Sequence, residues 1–236
     1  QEVRQFLATG DHDLLGRAWP GSNALAKAQN ADRAMRQALV AEVYRRTKGR
    51  KQPSLPSNFD ARQFSLSKVD PMVRGLFPAS ERPLALSLFE KSLVFMTRDN
   101  IEQVLTQTPY LGTAWNIANL YLGSLDLPGL DDKPVCLVGL SEEATFFVSM
   151  SYFEEKNPFA DYVVHEAAHV FHNWKRDRAG LQHTRLHEFL LDIDFRKREL
   201  FAYACEAYSR ILEQAHSSAD RQCLHADYAE KWTPDV

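Results

Sequence analysis

Cysteine is scarce in this 236-residue chain. Cys136, Cys205 and Cys223 are the only three, odd in number, widely spaced and set among apolar neighbours. That excludes a disulfide framework and points to free buried thiols in a reducing compartment, which predicts a cytosolic protein, whether in the producing cell or as an effector in a target cell. No apolar run approaches the ~20 residues of a membrane helix. The longest, around residues 84–96 and 135–140, are short or broken by polar side chains. The first ten residues, QEVRQFLATG, lack the positive start and apolar segment of a signal peptide. Neither charge is in excess: 28 basic residues stand against 31 acidic ones, a formal net charge of -3. Nothing in that balance argues for nucleic acid or an anionic membrane as partner. With 44% hydrophobic and 25% charged residues, the composition excludes a disordered tail, a collagen-like fibre and a coiled-coil rod. What is left is a globular protein of one large domain or two small ones.

The first half reads as helical. Residues 23–47 carry Leu25, Ala28, Ala31, Met35, Leu39 and Val43 at helical spacing, with Lys27, Arg33, Arg36, Gln37 and Arg45 on a face expected to be solvated. Residues 50–60, RKQPSLPSNFD, are the linker candidate, and residues 69–83, with Pro71, Gly75, Pro78 and Pro83, read as a second irregular stretch. Pro83 suits the first position of a helix running to about Met96, and a further helix is expected over residues 112–122. After Gly123 the composition changes. Residues 135–140 and 145–153 read as strands, the second with one apolar and one mixed face, as at or near a sheet edge. Asn157-Pro158 signals the start of a helix to about Lys175; helical stretches are expected from about Thr184 and over residues 196–215. The prediction is an α+β, mainly helical protein, with a helical N-terminal region (1–123) and a second domain (124–236) in which a small sheet precedes a helix bearing the chemistry.

Residues 165–169 read His-Glu-Ala-Ala-His. On a helix His165 and His169 project from one face a turn apart, a spacing that suits two imidazoles on one Zn²⁺. Glu166 sits about 100° round the helix, where its carboxylate can reach a water activated by the metal without ligating the metal. This is the H-E-x-x-H signature of zinc metallopeptidases. A catalytic zinc needs a third protein ligand and an open position. His172 lies one more turn along, better placed to support a ligand than to be one. In residues 198–211, RELFAYACEAYSRI, Leu200, Phe201, Ala204, Cys205, Ala207, Tyr208 and Ile211 make most of the circumference apolar, while Glu199, Tyr203, Glu206 and Arg210 form one polar stripe. A buried stripe needs a partner, and the histidine pair with its metal would be one. Glu199 is the first candidate for third ligand and Glu206 the alternative, with Ala202 small enough for close helix approach. Tyr203 is the candidate donor to a developing oxyanion, Tyr208 is expected in the core, and Glu206, His172 and Asn173 are candidates to orient a ligand imidazole. His183, His187 and Glu188 form a weaker cluster near a loop, and Asp192 and Asp194 are expected to be solvated.

H-E-x-x-H followed by a helix beginning Glu-Leu-Phe-Ala resembles the gluzincin-type peptidases, most of all the anthrax lethal factor catalytic domain and the Mlc titration factor A peptidases. The likeness covers residues 157–212, under a third of the chain. It implies a zincin-like catalytic domain, one Zn²⁺ per chain, Glu199 as third ligand, and an edge strand before the zinc helix that pairs with an extended protein or peptide substrate. Two positions depart from related groups: residue 203 is Tyr where thermolysin-like enzymes carry Asp, and Ala168 stands where the repressor-cleaving ImmA/IrrE group often has Gly. The resulting expectation is a zinc metalloendopeptidase, toxin-like or regulatory, with Glu166 as general base. The alternative is a non-catalytic zinc-binding regulatory or protein-interaction module on the same fold.

Overall fold

The computed structural model describes residues 1–51, 53–135, 137–182 and 187–231. Cys136 and His183 therefore lie outside the described residues. Helices dominate, with one small sheet, so the class is α+β. The chain divides into two compact units: residues 1–57, 95–140 and 149–151 in the first, and residues 58–94, 141–148 and 152–236 in the second. The division at 57–58 falls inside the predicted linker. Residues 58–94, grouped by sequence with the N-terminal region, belong instead to the unit that carries the His-Glu-Ala-Ala-His segment.

In the first unit, α1 (Glu2–Thr9), α2 (Ala24–Thr47), α5 (Ile101–Gln107) and α6 (Leu111–Gly123) bury Phe6, Met35, Leu39, Ile101, Leu105 and Ile117. Helix α2 begins as its sequence requires: Asn23 accepts from the Ala26 amide, filling one of the donors a helix start leaves open. Its expected solvated face is broken at Arg36, which is buried.

In the second unit, α3 (Ala61–Leu76) runs straight through the stretch expected to be irregular. Pro71 costs this helix one backbone hydrogen bond, but Val69, Met72 and Val73 gain full burial on the same turns. Helix α4 (Arg82–Phe89) stops well short of Met96. The Ser92 hydroxyl donates to Leu88 O at its end, and Leu93–Phe95, branched and aromatic, forms β1. The sheet has the order β1-β3-β2, with β2 at Gly139–Glu142 and β3 at Thr145–Val148. Strand β3 is thus central, not an edge, because both its flanks are taken. It ends at Val148, where a 3-10 turn over Met150–Glu154 replaces the predicted continuation. The expected strand at 135–140 is displaced to β2.

Helix α7 (Tyr162–Asn173) starts at Asp161, not at Asn157-Pro158. Asn157 only closes a local turn, accepting from the Phe159 amide, whereas Asp161 caps the helix by accepting from Val164 N. Val163, Val164, Ala167, Ala168, Val170 and Phe171 are fully buried. Phe171 packs its ring 5.1 Å from that of Phe89 and 5.6 Å from that of Phe77. The described residues after 186 are not helical until 195: Phe189 bridges back to Lys175, and a 3-10 turn at Phe195–Lys197 leads into α8 (Arg198–Gln214). Helix α9 (Ser218–Lys231) follows. Helix α8 packs closely on α7, with Ala202 fully buried. It is not apolar all round: Leu200 and Tyr208 are exposed, which corrects the expectation of a core Tyr208. Cys205 is a buried free thiol, but Cys223 is exposed.

Candidate metal centre

Helical periodicity sets the site. On α7 the four-residue step from His165 to His169 stacks the two imidazoles, ring centroids 4.8 Å apart, on the face opposed by α8. From the first turn of α8, Glu199 reaches both. Its Oε2 lies 3.5 Å from His165 Nε2 and its Oε1 3.6 Å from His169 Nε2. Ligating atoms of the three side chains all lie within 4.8 Å of one another, and no other group of this kind occurs among the described residues.

Which nitrogens carry protons follows from the next layer of contacts. Asn173 Oδ1 accepts from His172 Nδ1 at 3.0 Å and also faces Arg198 Nη1 at 3.5 Å, which fixes it as the oxygen. His172 Nε2 is then the acceptor of its 2.9 Å contact with His169 Nδ1, so His169 Nδ1 carries the proton and its Nε2 a lone pair. His165 Nδ1 lies 2.8 Å from Glu206 Oε1, which leaves Nε2 as the nitrogen that faces Glu199. Two imidazole Nε2 atoms and a carboxylate thus face one point, with nitrogen-to-oxygen separations of 3.5 and 3.6 Å. Tetrahedral ligands at about 2.0–2.1 Å from a zinc ion would stand roughly 3.3–3.4 Å apart, close to the two histidine-to-carboxylate separations.

Titration behaviour follows from the same contacts. Burial pushes His169 down to about 3, reinforced by the neighbouring His165, His172 and Arg198. His172 is lowered to about 4 by burial and by Arg198, against the Asn173 hydrogen bond. Burial also lowers His165, but the hydrogen bond to Glu206 and the charges of Glu206, Glu166 and Glu199 outweigh it, for a net rise. Glu166, 8% exposed, is raised to about 7 by burial. The charge of His165 and a hydrogen bond from Ser141 oppose that rise, while Glu199 and Glu206 add to it. A carboxyl tuned this way can both take and give a proton near neutrality.

The structure brings His165, Glu166, His169 and Glu199 together and sets Glu206, His172 and Asn173 behind them. Glu206 therefore supports a candidate ligand and is not one itself. Tyr203 lies on the same stripe, its ring 5.0 Å from that of His165. Arg210 turns away from Glu206 to Glu213 and to Pro158 O. His187 pairs with Asp192 at an exposed position, and Glu188 pairs with Lys175, so neither belongs to a second described cluster. Asp194 caps the short turn at 195–197. Sequence reasoning missed Ser141 and Arg198. Ser141 lies 25 positions before Glu166 with no local signal, but Arg198, adjacent to Glu199, was within reach of the same helical-face argument. Comparison of the chain with protein-family profiles, curated proteins and solved structures finds no match. No helix among the described residues is long and apolar enough to cross a membrane.

Proposed function

We propose that the chain is a zinc-dependent metalloendopeptidase with a zincin-like catalytic unit, in which His165, His169 and Glu199 hold one zinc ion. The observation that supports this reading is the convergence of the two imidazole Nε2 atoms and the Glu199 carboxylate on one point. Bound there, zinc would act as a Lewis acid that acidifies water and polarises a peptide carbonyl. Glu166 takes the proton of the attacking water and delivers it to the leaving nitrogen, a role matched by its raised proton affinity. Ser141 orients that carboxylate. Glu206 and His172 fix the ligand imidazoles, with Asn173 fixing His172 in turn. Tyr203, on the ligand stripe, is the donor to the developing oxyanion. Because Ser141 belongs to β2, the edge strand next to Glu166, β2 rather than β3 is the strand an extended peptide would join. The free thiols of Cys205 and Cys223 are in keeping with work in a reducing compartment.

The test joins metal analysis of the purified protein to hydrolysis of a degenerate peptide library. The expected result is about one zinc per chain, lost in His165→Ala, and activity cut by about 10²–10⁴-fold in Glu166→Gln with metal retained. Zinc binding with activity indifferent to Glu166→Gln would instead favour the non-catalytic zinc module, and absence of zinc would sink both.

A further inference from the structure

Arginines in this protein are mostly spent on structure. Arg36 uses its guanidinium on Asp32, Leu105 O and Pro109 O. Arg176 uses its own on Gln182 O, Leu190 O and Glu81. Arg198 differs. Among the described residues it forms no ion pair, its Nε is buried without a hydrogen-bond partner, and its one side-chain hydrogen bond is the long 3.5 Å contact from Nη1 to Asn173 Oδ1. Its guanidinium is held 5.1 Å over the ring of Phe195, itself 78% exposed, which fixes the plane of the fork while leaving most of its donors unused. The position is not incidental. Arg198 precedes Glu199 in the first turn of α8, and through Asn173 and His172 it adjoins the ring of His169. Glu199 is 68% exposed, so the site is open to solvent at this end of α8. Three carboxylates, Glu166, Glu199 and Glu206, otherwise surround the histidine pair and would repel an anionic substrate; Arg198 supplies the opposite charge at its rim.

We propose that Arg198 is a specificity residue that receives a carboxylate of the peptide substrate close to the bond that is cut. A planar guanidinium with spare parallel N–H groups matches a carboxylate in a two-pronged pair, a geometry lysine lacks. The carboxylate has two sources, an Asp or Glu side chain near the cleaved bond or a free C-terminus, and the second would make the enzyme act at chain ends. This inference rests on the metallopeptidase reading and narrows it to acidic substrates.

The test compares paired quenched-fluorescence peptide libraries on the zinc-loaded protein. One pair fixes Glu against Gln at each position in turn; the other presents a free C-terminal carboxylate against its amide. Wild type is expected to favour the carboxylate member of one pair by roughly tenfold to a hundredfold in kcat/KM, the worth of a hydrogen bond to a charged group. Which pair responds identifies the source. In Arg198→Gln that ratio falls to about one, mainly through KM, and in Arg198→Lys it is partly kept. A wild-type ratio near one in both pairs, or a ratio unmoved by Arg198→Gln, overturns the inference while leaving the peptidase standing. Absence of zinc or of any cleavage counts against the peptidase itself. Binding of the favoured peptide to Glu166→Gln, weakened by adding Arg198→Gln, supplies a readout without turnover.

Discussion

His165 holds Glu206 at 2.8 Å through Nδ1 while its Nε2 faces Glu199 at 3.5 Å, so two carboxylates from one stripe of α8 meet opposite sides of one ring. If the cluster holds zinc as proposed, Glu206 would fix the ring and Glu199 would complete the donor set. The two roles separate by substitution. Glu199→Ala removes a proposed ligand and should abolish stoichiometric zinc. Glu206→Gln leaves the three donors in place but loosens the ring, and should weaken zinc about 10–100-fold, the usual cost of losing a support behind a metal ligand. Competition with a calibrated chelator measures both. Equal zinc affinity in Glu206→Gln and wild type would refute the supporting role.

The clustering of His165, His169 and Glu199 was more legible in the sequence than the fold around it. The steps from His165 to His169 and from Glu199 to Glu206 follow from helix geometry, which is local, and the structure keeps them. The boundaries depended on competition between local signals and burial. Asn157-Pro158 is a good helix start in isolation, yet Asp161 wins because it is buried beside Lys68 and caps the helix there. Pro71 is a helix breaker in isolation, yet the burial of Val69, Met72 and Val73 carries α3 through it. Strand β3 reads as an edge because one face mixes Ser149 and Ser151 with aromatics, but those serines lie beyond its end at Val148 and bond to each other. Ser141 could not be found from sequence, since its meeting with Glu166 is set by tertiary packing alone.

Lys68 and Asp161 form the most deeply buried ion pair of the second unit. Nζ lies 2.8 Å from Asp161 Oδ2, and the Asp161 side chain is only 1% exposed. The same ammonium reaches Glu213 of α8 at 2.6 Å, and Tyr152 donates to the other Asp161 oxygen. One lysine on α3 thus holds the start of the α7 helix and the far end of α8. Removing it strands a buried carboxylate, so Lys68→Ala should cost about 3–5 kcal/mol in urea unfolding. Asp161→Asn, which keeps an acceptor for Val164 N, should cost less, and in a Lys68→Ala background less again. Independent, additive losses would show that the pair is not coupled.

Glu42 gives the first unit a pH-dependent contribution. Hydrogen bonding from Arg45, against some burial and with help from Arg46, lowers it from 4.5 to about 2. A depressed carboxyl stabilises the fold above its unfolded value, and the contribution is lost as pH falls from about 4.5 towards about 2. The cluster is partly solvated, so its worth is at most about 1 kcal/mol. Glu42→Gln should therefore be less stable than wild type by up to that amount at pH 6, and the difference should vanish near pH 2. Guanidinium melts of both proteins across this range check the sign; a gap that widens towards acid would contradict it.

Arg36 sits in an environment that departs from its sequence pattern. Its neighbours on the helical wheel suggest solvent, yet it is 7% exposed, with Nε 2.9 Å from Asp32 and Nη1 2.8 Å from Leu105 O, while Nη2 faces Pro109 O. The acceptors at Leu105 and Pro109 belong to the end of α5 and the turn before α6, where carbonyls have no partner within a helix. Arg36 supplies one from α2, and so ties three helices of the first unit at a single side chain. Arg36→Ala leaves buried carbonyls without donors and should cost about 2–3 kcal/mol. Arg36→Lys should recover little, because an ammonium cannot present donors to Asp32, Leu105 O and Pro109 O at once. Thermal and urea unfolding of the two variants check this. Full recovery by Lys would mean that charge alone, not the fork of donors, is what the three helices require.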